Sequence, residues 1–176
     1  MQVPRVLTLV SRDRPGIVEL LARIVADHGG NWLESRMCRL GGEFAGILRI
    51  HIPAEQEPAL RHTLNALRDQ GLTVEVHAAE SESPAPRSRA TLELVGHDRP
   101  GIVREVSATL ARHGVNVDEL TTECSSAPMT GEPLFKARAR LHLPDACDRT
   151  SLQQELERIA SNLLVDLDFD STPPAS

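Results

Sequence analysis

Hydrophobic and polar positions follow two rhythms along this chain, and the rhythms come in the same order twice. Val6 to Val10 is apolar and β-branched, which predicts a strand. Ile17, Leu20, Leu21, Ile24 and Val25 recur at helical spacing, and Asp27-His28-Gly29-Gly30 supplies the stop. Asn31 to Arg39 reads as a second strand, and Gly41-Gly42 as a hairpin turn into a third, Phe44 to Ile52. There Leu48, Ile50 and Ile52 share one face, with Arg49 and His51 on the other. Leu60, Leu64 and Leu67 predict a helix ended by Gly71, and Thr73 to His77 a closing strand with Val74 and Val76 inward. The order is βαββαβ.

The second half repeats it. Leu92 to Val95 is a strand, and Ile102, Val106 and Leu110 line a helix that ends at His113-Gly114. Asn116 to Cys124 is a strand, Ser125 to Pro133 a longer loop. Phe135, Ala137, Ala139, Leu141 and Leu143 then alternate with Lys136, Arg138, Arg140 and His142. Leu152, Leu156 and Ile159 mark a helix; Val165, Leu167 and Phe169 mark the last strand.

Two identical hexapeptides anchor the repeat: Asp13-Arg14-Pro15-Gly16-Ile17-Val18 and Asp98-Arg99-Pro100-Gly101-Ile102-Val103, offset by 85 residues. Asn31 meets Asn116 at that offset, Trp32 meets Val117 and Gly30 meets Val115. From Phe44, which meets Phe135, the second copy is six residues longer. The fold class expected is α+β: two ferredoxin-like sandwiches, each an antiparallel sheet with helices on one face. The expected boundaries are 1–79 for the first domain, 80–88 for a Ser/Pro-rich linker, 89–170 for the second domain and 171–176 for a flexible tail.

Each hexapeptide sits where a strand gives way to a helix. Pro15 and Pro100 suit a first helical turn, which needs no N–H donor. Gly16 and Gly101 remove a Cβ where the free amides of the helix point outward, a natural seat for a carboxylate. A purely structural reading competes: Asp as cap, Pro as helix start, Gly for the turn, Ile and Val for the core.

Composition narrows the function. A net charge of −6 argues against direct binding of duplex nucleic acid. Cys38, Cys124 and Cys147 form no ligand spacing, and no secretory leader or membrane-length apolar run is present, so a cytoplasmic chain with free thiols is expected. The sequence holds no GxGxxG, P-loop, GxSxG or HExxH, so neither cofactor nor metal nor catalysis is expected. His28 and His113 fall in last helical turns, where a cation meets the negative end of the dipole. Lys136, Arg138 and Arg140 form a basic stripe, read first as a solvent face and second as a seat for an acidic partner.

The βαββαβ order, the Asp-Arg-Pro-Gly-Ile-Val turn and the Gly-x-Asn entry to the second strand resemble the ACT domain, a regulatory module. A chain of two such domains is similar to the glycine cleavage system transcriptional repressor family. The resemblance implies a non-catalytic regulator that binds a small amino acid, glycine- or serine-like, at paired domain interfaces. The implied site residues are Asp13, Pro15, Gly16, Ile17 and Asn31 from the first half, and Asp98, Pro100, Gly101, Ile102 and Asn116 from the second. Amides at the glycines would hold the carboxylate, an Asp the ammonium, and the two sites are not expected to be equivalent. A homodimer is expected, with a DNA-binding regulator as protein partner and with no direct contact to nucleic acid or membrane. The alternatives are a ligand-free adaptor that dimerises through its sheets, or a relative of the regulatory half of a formyltetrahydrofolate deformylase.

Overall fold

The computed structural model describes residues 1–79, 88–126 and 132–170. Most of the expected linker, the middle of the inserted loop and the expected tail lie outside the described residues. The chain divides into two compact units, Met1–Ser83 and Pro84–Ser176.

Unit 1 runs β1 (Gln2–Arg12), α1 (Ile17–Asp27), β2 (Asn31–Leu40), β3 (Glu43–Pro53), α2 (Glu57–Ala66), a 3₁₀ turn (Leu67–Gln70) and β4 (Leu72–Ala78). Its antiparallel sheet has the order β2-β3-β1-β4. Unit 2 repeats this as β5 (Ser88–His97), α3 (Ile102–Arg112), β6 (Asn116–Ser126), β7 (Pro133–Leu143), α4 (Arg149–Leu163) and β8 (Val165–Asp170), in the order β6-β7-β5-β8. The expected fold class is therefore what the chain forms.

Every expected element is present, and the strands run longer than their apolar centres. β1 pairs with β3 from Gln2 opposite Pro53 to Arg12 opposite Glu43, because ladder hydrogen bonds belong to the backbone and extend through polar ends. The helix expected through Leu67 tightens into the 3₁₀ turn before Gly71 ends it at φ 78°. Leu7, Leu9, Leu21, Leu48, Ile50, Ile52, Leu60 and Leu64 are almost wholly buried in unit 1, and each unit has its own aliphatic core. A β-bulge interrupts the β2 pairing after Trp32 and the β6 pairing after Val117, the same place in both copies.

Candidate functional site at the duplicated turns

In both units the chain leaves its first strand, turns through the hexapeptide and enters a helix at Ile17 or Ile102. The sequence places Pro15 and Pro100 in the first helical turn, but in the structure each precedes the N-cap, which is Gly16 or Gly101. The glycines have φ 93°, ψ −1° and φ 102°, ψ −11°. Those are the angles of the third residue of a type II turn, for which proline favours the position before. Proline's fixed φ is thus used to shape the turn, and the helix starts two residues later than the proline.

Neither Asp is a cap, since no side chain caps α1 or α3. Asp13 instead forms an ion pair with Arg39 at 2.5 Å, and its amide donates to the Gly42 carbonyl at 2.9 Å, tying the turn to the β2–β3 hairpin. In unit 2 the Asp98 amide donates to the Pro133 carbonyl at 3.1 Å. Cys124 there stands at the repeat position of Arg39, so the ion pair is not reproduced.

The opening at each helix start differs too. A Cβ built on Gly16 would meet nothing within 4 Å, whereas one on Gly101 would lie 3.7 Å from the Glu105 carboxylate. Leu20 occupies the position of Glu105 in unit 1. The first turn therefore offers an unobstructed positive helix end but an aspartate already engaged. The second has an aspartate without that arginine, and an acid beside its amides. Ile17 and Ile102 point into the cores, each 3% exposed, so only their backbone amides face the turn.

The two asparagines lie elsewhere. Asn31 is opposite His51, which is opposite Pro4, while the turn follows Arg12. Eight residues of strand separate Pro4 from Arg12, or about 27 Å at the usual rise of about 3.4 Å. Asn116, opposite His142 and bonded through its amide to Asp118 at 2.9 Å, is displaced in the same way from Asp98. Within one unit, turn and asparagine are at opposite ends of the sheet.

The remaining candidates resolve into local structure. The basic stripe is answered across the strands by acids directly opposite in register: Arg138 with Glu93, Arg140 with Glu119, and Lys136 with Glu123 at 3.3 Å. His28 bonds the Ile24 carbonyl at 2.8 Å at the end of α1, and His113 lies 3.6 Å from Glu155. The Arg112 guanidinium beside Glu155 holds that carboxyl below its ordinary value. Burial pushes the Cys147 thiol up, away from thiolate chemistry.

One cluster has no counterpart in the sequence-based expectations. Glu57, at the start of α2, bonds Arg5 of β1 at 2.5 Å and Arg61 one turn on at 2.8 Å. Arg61 also donates to the Val76 carbonyl of β4 at 2.7 Å. The hydrogen bond from Arg5 lowers the Glu57 pKa from 4.5 to about 2. Its only sequence signal was a four-residue Glu–Arg spacing; the contact with Arg5 needs the sheet.

Residues 5–77 match the ACT domain family, and residues 90–161 match it again. The chain is two ACT domains in tandem. It is 25% identical over 161 residues to the glycine cleavage system transcriptional repressor of Escherichia coli (strain K12), covering 90% of this chain and 84% of that protein. The match to the protein of the same name from Shigella flexneri has the same extent. Among solved structures, an unknown protein from Galdieria sulphuraria superposes with a TM-score of 0.84 at 29% identity, over 98% of this chain and 100% of that one. Among the described residues, no helix is long and apolar enough to cross a membrane.

Proposed function

We propose that this ACT-domain protein is a non-catalytic regulator that takes up a small amino acid, glycine- or serine-like, and transmits the bound state through protein contacts. The observation that carries the reading is the pair of helix starts on left-handed glycines with no side-chain cap, exposed at Gly16 and half-buried at Gly101. Uncapped amides at the positive end of a helix favour a carboxylate. Asn31 and Asn116 join such a pocket only from a neighbouring domain, since each lies about 27 Å from its own turn. A ligand bound that way favours one domain arrangement over another and shifts the population. The likeness to a named transcriptional repressor supports control of glycine cleavage or one-carbon genes, exerted indirectly through a DNA-binding regulator.

Calorimetric titration with a panel of amino acids tests this. Saturable heat with glycine or serine, abolished in Gly16→Val/Gly101→Val, is the expected result. A panel that yields neither heat nor thermal stabilisation overturns it.

A second reading is favoured by the outer face of the unit 1 sheet, where Val10 is 53% and Ile47 56% exposed. A ligand-free adaptor that dimerises through that face would lose self-association in Ile47→Glu and ignore the amino-acid panel.

A further inference from the structure

The two sheets differ on their outer faces, the faces turned away from the helices. In unit 1 the register places Arg36, Ile47, Thr8 and Glu75 in one row across β2, β3, β1 and β4. The row on one side holds Cys38, Ala45, Val10 and Thr73, and the row on the other Glu34, Arg49, Val6 and His77. The two central strands contribute one charge to these rows, Arg49, which has Glu34 directly opposite it. The other charges stand on the edge strands, with Arg36 and Glu75 at the two ends of one row.

Unit 2 puts Lys136, Arg138, Arg140 and Glu93 on its central strands at the matching rows, all in cross-strand ion pairs. Covering that face would strip solvent from charges. Val10 and Ile47, exposed at the centre of the unit 1 face, gain from being covered.

What fits the unit 1 face is the same face of a second copy. When one sheet is turned over onto another about an axis parallel to the strands, each row meets itself in reverse. Arg36 then stands over Glu75 of the second copy at one edge, and Glu75 over its Arg36 at the other. Ile47 falls over Thr8, Val10 over Ala45, and Glu34 over His77. An axis across the strands, centred on the same row, would set Arg36 over Arg36 and Glu75 over Glu75. Packed sheets lie about 10 Å apart, a gap that facing arginine and glutamate side chains span. At the usual strand spacing and rise the face covers about 600 Å² per copy, or about 1,200 Å² in the pair, the lower end for a stable interface.

We infer that the outer face of the unit 1 sheet is a homodimer interface, two copies packing face to face about a twofold axis along the strands. The apolar centre drives association, and the edge charges set the orientation. The inference rests on the adaptor reading for its face but not for the absence of a ligand. Heat with an amino acid would end that reading and leave this dimer standing.

Sedimentation equilibrium of the full chain, run as a dilution series, is the test. A reversible dimer is expected. Arg36→Glu and Glu75→Arg should each weaken it about tenfold or more, because each brings like charges together at both edges. The double variant Arg36→Glu/Glu75→Arg should recover to within about threefold of the unchanged chain. Circular dichroism verifies that each variant is folded. Isotope-filtered NOEs in a mixed labelled and unlabelled dimer of the unchanged chain locate the interface without any variant, and the Ile47 methyls should meet Thr8 of the second copy. A monomer throughout the series, a dimer that either single reversal leaves undiminished, no recovery in the double variant, or intermolecular NOEs that leave out Ile47 and Thr8 would overturn the inference.

Discussion

Two glycines decide the shape of the candidate site, and they do so through φ rather than through lack of room. Gly16 has open space where a Cβ would go, yet its φ of 93° is one that L side chains adopt only with strain. Gly16→Ala should therefore lower stability by about 1–2 kcal/mol in chemical denaturation, although no atom is displaced. An unchanged midpoint would mean that the turn relaxes into another geometry. Ser11, two residues before the Asp13 turn, is 5% exposed and its hydroxyl has no hydrogen-bond partner. Ser11→Ala should leave stability unchanged or raise it by about 1 kcal/mol, because it removes a buried polar group rather than a bond. The glycine requirement was legible in the sequence because Pro-Gly is a turn signal. The Asp13–Arg39 pair was not, since nothing local relates residues on two different elements.

Helix α4 begins differently from the repeated pair α1 and α3. α4 starts with Asp148, whose carboxylate accepts from the Thr150 and Ser151 amides at 3.1 Å, whereas α1 and α3 start with bare glycine. Asp148→Ala should cost about 1 kcal/mol in a denaturant melt, the usual loss for an N-cap. The contrast fits an ordinary structural start for α4 and amides left without a side-chain cap in α1 and α3. The strands show a similar division. The Lys136–Arg138–Arg140 stripe was visible from alternation, but its acids come from β5 and β6, so only the register reveals that the stripe is paired. Arg138→Ala should cost no more than about 1 kcal/mol, less at high salt, as expected for an exposed cross-strand pair. A larger loss would point to a contact beyond Glu93.

At the scale of the molecule, duplication produced two units of one topology with different polar ties. In unit 1, Glu57 joins β1, α2 and, through Arg61, β4; its side chain is 15% exposed. Its folded pKa of about 2 lies below the unfolded value, so its ion pairs stabilise fully above about pH 4.5 and lose that effect as pH falls through about 2. Acid titration followed by circular dichroism should show unit 1 weakening in that window. Glu57→Gln should flatten the dependence and cost about 2 kcal/mol at neutral pH, between the values for exposed and buried pairs. The sequence by itself determined the duplication, the βαββαβ order, the inward faces and the two glycine turns, because periodicity, turn chemistry and identity between copies are all written locally. Tertiary structure alone decided what Asp13 and the basic stripe pair with, where each asparagine stands relative to its turn, and that Glu57 gathers Arg5 and Arg61. Those depend on strand register and on packing between residues far apart in the chain, and register follows from the whole sheet rather than from any one segment.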